Sequence, residues 1–127
     1  MKLLLDTHIF LWFITGDERI PAKSQKEIRL QKNEVYLSVI SLWEIIVKYQ
    51  LRKLPLPFPP ATYIPEQREK HLIQSMALLE KDLSRLSTLP SIDRDPFDRM
   101  LICQALSRDL TILTVDESFR QYSVKIL

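Results

Sequence analysis

Residues 94–105, with the sequence RDPFDRMLICQA, combine a complete helix-start signal with an apolar helical pattern. Asp95 is placed to cap the helix, Pro96 suits the first helical position, and Asp98 falls at the third. The free backbone N–H groups of that first turn favour negative charge. Asp98 also lies on the apolar stripe of the helix, where a carboxylate is less expected than on a solvated face. The pattern predicts a helix from Pro96 and leaves Asp98 with two interpretations, a capping residue or a functional acid.

The composition is that of an ordinary globular protein. The chain has 127 residues, nearly half of them apolar, and we expect residues 1–127 to form a single domain. A net charge of +2 gives little support for nucleic-acid binding, so any basic surface has to come from local clustering. The single cysteine, Cys103, excludes an internal disulfide and a cysteine-based zinc cluster, and we expect it to be buried. No apolar run approaches the roughly 18 residues of a membrane span, which predicts a cytoplasmic protein with no membrane association.

Apolar runs alternate with helical patterns along the chain. Strands are predicted at residues 2–5, 35–40, 110–115 and 124–127, and residues 72–77 fit either a strand or a helix that runs on to residue 86. Helices are predicted at about residues 9–14, 21–32, 41–51, 60–70, 79–89 and 117–122, besides the one that begins at Pro96. Strands that alternate with helices predict an α/β sandwich around a mostly parallel sheet.

Four acids lie at the borders of these apolar elements. Asp6 and Asp116 each directly follow an apolar strand, and Glu44 and Asp98 each lie near the start of a largely apolar helix. In parallel α/β sheets such positions meet at one edge, where sites form. Carboxylates about 5 Å apart would repel by roughly 3 kcal/mol per pair, so a cluster of them has to take up protons or bind cations. Oxygen-only ligands suit Mg²⁺ or Mn²⁺, and such a metal between acids suits phosphodiester hydrolysis.

Each acid also has a purely structural interpretation. Glu44 fits a capping box opened by Ser41, or an ion pair with Lys48 one turn further along. Asp6 and Asp116 fit caps of the helices that follow their strands. Spacing alone does not choose between the structural and the catalytic interpretations.

Four segments, taken in order, resemble the acidic motifs of PIN-domain ribonucleases. They are KLLLDTHIFLW (residues 2–12), SVISLWEIIVK (38–48), RDPFDRMLICQA (94–105) and TILTVDESF (111–119). The nearest resemblance is to the VapC-like toxins of bacterial type II toxin–antitoxin systems, and it runs nearly end to end. No single motif is specific to this family. The presence of all four motifs in the right order, with DPFDR intact, is specific. One departure is Asp93, because similar sequences tend to have histidine there.

The resemblance implies a PIN-like three-layer α/β/α sandwich with four to five strands. It implies a Mg²⁺- or Mn²⁺-dependent endoribonuclease that acts on RNA, forms a homodimer and is held inactive by a cognate antitoxin. Carried over by position, the catalytic and metal-binding acids are Asp6, Glu44, Asp98 and Asp116. Thr114 matches a hydroxyl residue that often precedes the last acid, where it either orients a carboxylate or a metal-bound water or is only a β-branched strand residue.

Further residues near the acids are weaker candidates. Asp95 is predicted to remain a structural cap at the rim of the site, and His8 to support Asp6 as a hydrogen-bonded neighbour rather than to touch substrate. Three basic residues are candidates for contacts with RNA phosphates or for ion pairs with the acids: Arg94, Arg99 and Lys48. Three aromatic residues have the spacing of a helical core, which favours packing over stacking on bases: Trp12, Trp43 and Phe97.

Other functions fit the sequence less well. A haloacid-dehalogenase-like phosphatase needs Asp-x-Asp after the first strand, but Asp6 is followed by Thr7 and His8. A phospho-receiver domain needs paired acids at that point and a lysine after a late strand. The alternative from another class is a non-catalytic PIN-like module that binds RNA or a protein. The intact acids favour catalysis over that module.

Overall fold

A parallel sheet of five strands forms the centre of the protein. The computed structural model describes residues 1–92 and 95–127. Its strands are Lys2–Leu5 (β1), Glu34–Ser38 (β2), Gln74–Met76 (β3), Thr111–Leu113 (β4) and Lys125–Ile126 (β5). They lie in the order β3-β2-β1-β4-β5, and each neighbouring pair is parallel. The predicted sandwich around a mostly parallel sheet is confirmed, and the open interpretation of residues 72–77 resolves as a strand.

Helices connect the strands. In the described part of the chain they are Thr7–Thr15 (α1), Ala22–Arg29 (α2), Val39–Gln50 (α3), Pro60–Lys70 (α4), Glu80–Ser84 (α5) and Pro96–Arg108 (α6). Two short 3-10 helices follow α5 and β4, at Arg85–Ser87 and Glu117–Gln121. The helix predicted at residues 79–89 is therefore shorter and irregular at its end. None of the helices in residues 1–92 and 95–127 is long and apolar enough to span a membrane.

The core has two parts, one on each face of the sheet. Leu3 and Leu5 pack with Phe10 of α1 on one face. Leu4, between them in the sequence, packs with Leu101 of α6 on the other face. Successive side chains of a strand point to opposite faces, so a continuous apolar strand such as β1 needs helices on both sides. The three-layer α/β/α arrangement follows from that requirement.

Helix α3 begins earlier than its sequence predicts. Ser38 ends β2 and caps α3, because its hydroxyl accepts a hydrogen bond from the backbone N–H of Ile40 at 3.0 Å. The strand predicted at residues 35–40 is therefore too long, and the capping box of Ser41 and Glu44 is wrong. Val39 and Ile40, which are β-branched and favour a strand, occupy the first helical turn instead. The hydrogen bond of the N-cap outweighs the small free-energy cost of placing β-branched residues in a helix.

The order of the strands reverses beside β1. Strands β2 and β3 lie on one side of β1, and β4 and β5 on the other. Open parallel sheets bind ligands at the carboxyl ends of the strands at such a point. The backbone N–H of Asp6, directly after β1, donates to the carbonyl of Leu113 at the end of β4 over 3.0 Å. The chain segments that carry Asp6 and Asp116 therefore leave the sheet at neighbouring positions.

Candidate active site

Asp6 is buried at the end of β1 and is bound at both carboxylate oxygens. Oδ1 accepts the backbone N–H of Thr7 at 2.7 Å, which caps α1, and Oδ2 accepts the hydroxyl of Thr114 at 2.7 Å. Burial raises the pKa of Asp6, and the negative charge of Glu44 adds to that rise. The hydrogen bonds from Thr114 and Thr7 oppose it. The capping interpretation therefore accounts for only one of the two oxygens.

Glu44 is buried on α3 and meets Asp6 through a shared threonine. Oε1 of Glu44 accepts the hydroxyl of Thr7 at 2.7 Å, and Oε2 forms an ion pair with Lys48 one turn further along α3. The Thr7 hydroxyl also lies 2.9 Å from the Ser41 hydroxyl. Because the N–H of Thr7 binds Asp6 and its hydroxyl binds Glu44, a single residue joins two acids that lie far apart in the sequence.

Thr114 joins Asp6 to Asp116. Its hydroxyl donates to Asp6 and accepts the backbone N–H of Asp116 at 3.0 Å. The carboxylate of Asp116 accepts the N–H of Ser118 at 2.9 Å and so caps the 3-10 helix that follows β4. Asp116 itself is exposed. Both hydrogen bonds are made by the hydroxyl, so Thr114 is more than a β-branched residue at the end of β4.

The start of α6 carries two more acids. Oδ1 of Asp95 accepts the N–H groups of Phe97 and Asp98, at 2.9 and 3.3 Å, so Asp95 is the cap that its sequence position predicts. Asp98 lies half-buried in the first turn. Burial lowers the pKa of Lys48, but its ion pair with Glu44 raises it overall, and the charges of Asp95 and Asp98 add to that rise. The charges of Glu44, Asp95 and Asp98 therefore all act on Lys48.

Thr7 and Thr114 link Asp6, Glu44 and Asp116, but the acids do not form a ready-made metal cage. Within residues 1–92 and 95–127, no group of three or more His, Cys, Asp or Glu side chains is arranged to hold a metal ion. The donors are all oxygen atoms, which is the set that Mg²⁺ and Mn²⁺ prefer. The ammonium of Lys48 forms an ion pair with one of them, Glu44.

A family model for the PIN domain matches residues 3–125. The chain belongs to the PIN domain family. Ribonuclease VapC16 of Mycobacterium tuberculosis (strain ATCC 25618 / H37Rv) is 44% identical to it over 39 residues. That segment is 31% of this chain and 28% of the relative, so the PIN chain matches little more than a quarter of the relative's length.

Solved structures share this PIN fold over nearly the whole chain. A chain of VapBC2 from Rickettsia felis, bound to a DNA fragment from its promoter, superposes with a TM-score of 0.76 at 15% identity, covering 100% of this chain and 98% of that one. A chain of FitAcB from Neisseria gonorrhoeae gives 0.67 at 18% identity, covering 98% and 96%. A chain of FitAB bound to an IR36 DNA fragment gives 0.67 at 17% identity, covering 98% and 93%. At these identities the likeness shows the fold, and it confirms the predicted PIN-like sandwich.

The weaker candidates in this PIN domain are placed as follows. His8 is exposed, and its coulombic effect lowers the pKa of Asp6 against the larger effect of burial. Its influence on Asp6 is therefore electrostatic. Arg99 donates to the carbonyl of Pro90 at 2.8 Å, which ties α6 to the preceding loop. The candidates Arg94 and Asp93 lie outside the described residues.

Sequence reasoning did not single out Thr7. A hydroxyl directly after a strand-end acid was a signal, but nothing local says which distant group it would meet. Ser41 was assigned to the wrong position for a related reason: its spacing to Glu44 fits a capping box, whereas the helix has already started at Val39. In the folded chain Thr7 and Ser41 lie in contact with each other beside Glu44.

The aromatic prediction is wrong for Trp43. Its side chain is 54% exposed, and its ring meets Phe97 edge-on with centroids 4.9 Å apart. Trp43 directly precedes Glu44 on α3, and the turn that points Glu44 inwards points Trp43 outwards. The thiol of Cys103 is buried, as predicted.

Proposed function

We propose that this chain is a divalent-metal-dependent endoribonuclease that hydrolyses RNA phosphodiester bonds at its acidic edge. The observation that carries the proposal is the buried pair Asp6 and Glu44, joined by Thr7 where the order of the strands reverses. A capping role requires only one oxygen of Asp6 and no buried Glu44. Burying two carboxylates costs several kcal/mol of folding free energy, which hydrogen bonds from Thr7 and Thr114 and the ammonium of Lys48 offset here. A cation-binding function explains why the fold keeps two buried carboxylates joined by Thr7.

The residues that would hold Mg²⁺ or Mn²⁺ are Asp6, Glu44, Asp98 and Asp116. A metal bound there supplies an activated water and stabilises charge on the attacked phosphate. Thr114 holds the carboxylate of Asp6 on one side and the N–H of Thr7 holds it on the other, so Asp6 needs no reorganisation before the reaction. Asp98 lies in the first turn of α6, where the free backbone N–H groups favour negative charge.

We further propose that the chain is the toxin of a type II toxin–antitoxin module, acting as a homodimer in the cytoplasm and restrained by a cognate antitoxin. Support comes from the four motifs in their order and from the similarity to a protein named Ribonuclease VapC16. The fold shared with chains of VapBC2 and FitAB adds to it.

The test measures RNA cleavage by the full chain, purified free of any antitoxin. Structured and unstructured RNAs are incubated with Mg²⁺, with Mn²⁺ or with EDTA. Asp6→Asn and Asp98→Asn are compared with wild type. The matched control is Asp109→Asn, because Asp109 is an exposed residue at the other end of α6 whose left-handed backbone (φ 55°) also suits asparagine.

Cleavage that needs the metal, persists in Asp109→Asn and disappears in both site variants supports the nuclease. Equal cleavage by all four proteins indicates a contaminant and refutes it. RNA binding that is unchanged by EDTA, with no cleavage by folded wild type, identifies the non-catalytic module instead.

A further inference from the structure

Lys48 forms an ion pair with Glu44, a buried acid of the candidate site. Its ammonium pairs with Oε2 of Glu44, while Oε1 accepts the hydroxyl of Thr7. The side chain of Glu44 is 4% exposed and that of Lys48 is 35% exposed. The pair therefore lies at the boundary between core and solvent, and the ammonium is its more accessible member.

Acids on a second helix act on the same ammonium. Asp95 and Asp98, at the start of α6, are close enough for their charges to influence Lys48. An edge-on contact between Trp43 of α3 and Phe97 of α6 holds the two helix segments together beside it. The charge of Glu44 on α3 and the charges of two acids at the start of α6 therefore all act on the ammonium of Lys48.

A divalent cation bound at Glu44 would compete with the ammonium of Lys48. Both are attracted to Glu44, and the two cations repel each other at short distance. We propose that Lys48 is a resident counter-cation, which balances the acids in the metal-free protein and leaves Glu44 when a divalent metal binds. This inference rests on the proposed function, because it concerns the same metal site. It makes Lys48 a positioning residue that sets metal affinity.

The first experiment measures metal affinity. Lys48→Met removes the ammonium and keeps a long unbranched side chain, and Lys23→Met removes the same charge from an exposed position on α2. Mn²⁺ is titrated calorimetrically into the antitoxin-free full chain of wild type and both variants. We expect Lys48→Met to bind Mn²⁺ about tenfold more tightly than wild type, since competition and repulsion are both removed. Lys23→Met is expected to match wild type.

The second experiment measures release of Lys48 in the wild-type protein. Lysine amines are labelled with an acylating reagent in EDTA or in Mg²⁺, and the rates at Lys48 and Lys23 are read by mass spectrometry. If the metal displaces the ammonium from Glu44, the labelling rate of Lys48 rises severalfold with Mg²⁺ relative to that of Lys23. A residue with a merely structural role would keep its rate.

The outcomes separate this inference from the proposed function. Equal Mn²⁺ affinities of Lys48→Met and wild type, or a labelling rate of Lys48 that Mg²⁺ does not raise, overturn the counter-cation role and leave the metal site standing. No Mn²⁺ binding by any of the three proteins overturns the metal site and the counter-cation role together. If Lys48→Met does not fold, the labelling of wild type decides.

Discussion

Replacing Thr114 with valine removes one buried hydroxyl and keeps the shape of the side chain. The hydroxyl donates to the carboxylate of Asp6 at 2.7 Å and accepts the N–H of Asp116 at 3.0 Å. A hydrogen bond to a charged group contributes about 1.5–3 kcal/mol, and a neutral one about 0.5–1.5 kcal/mol. Water can replace part of the second bond, because Asp116 is exposed. We therefore expect Thr114→Val to lower the free energy of unfolding by about 2–3 kcal/mol.

Chemical denaturation in EDTA measures this change without any contribution from a bound metal. Two controls bracket it. Thr114→Ser keeps the hydroxyl and loses one methyl group, which costs about 1 kcal/mol. Thr111→Val makes the same chemical change at the other end of β4, where we expect less than about 0.5 kcal/mol.

The same variant tests the proposed chemistry. Without Thr114 the carboxylate of Asp6 keeps only its bond to the N–H of Thr7, so its orientation loosens. We expect the rate of metal-dependent RNA cleavage to fall by about tenfold to a hundredfold, and Thr114→Ser to recover most of it. A Thr114→Val protein that unfolds with the same free energy as Thr111→Val would refute the reasoning, because the two hydrogen bonds would then contribute nothing.

Three further predictions concern stability. Arg108→Met should lower the free energy of unfolding by about 3 kcal/mol. The reason is that the buried carboxylate of Asp82 loses two hydrogen bonds from Arg108, at 2.7 and 3.2 Å. A loss below about 1 kcal/mol in denaturant titration would contradict this. Burial raises the pKa of Asp82, but the hydrogen bonds from Arg108 and from the N–H of Leu79 overcome that effect and hold the pKa below its ordinary value of 3.8. The ionised carboxylate therefore stabilises the fold above about pH 4, and this stabilisation is lost as the pH falls through the folded pKa. In acid titrations of unfolding, wild type should lose stability more steeply below about pH 4 than Asp82→Asn does, and parallel curves would argue against it. Ser38→Ala removes the cap of α3 and should cost about 1 kcal/mol in thermal unfolding, whereas no change in the midpoint would show that the cap is dispensable.

Local sequence determined the features whose physical causes are themselves local. The start of α6 is an example, because Asp95 caps N–H groups only two and three residues away. The strand at Lys2–Leu5 is another, since a continuous apolar run followed by a helix start has few alternatives. The ion pair of Glu44 with Lys48 follows from helical periodicity alone. Such features need no knowledge of the rest of the chain.

The start of α3 shows where local reasoning fails. Ser38 and Ser41 both offer a hydroxyl ahead of an apolar helix. Of the two, Ser41 has the spacing to a glutamate, Glu44, that a capping box requires. The parallel pairing of β2 with β3 extends to Ser38, so the strand ends there and the helix follows at once. The choice between two plausible caps was therefore made by the sheet.

Tertiary structure alone decided how the acids of the candidate site are joined. Thr7 meets Glu44 across 37 positions of sequence, and Thr114 meets Asp6 across 108. The sequence determined which acids stand at the borders of apolar elements, because the end of an apolar run is visible in the neighbouring residues alone. It did not determine which hydroxyl would hold which carboxylate, because these contacts depend on the order in which the parallel strands assemble around β1.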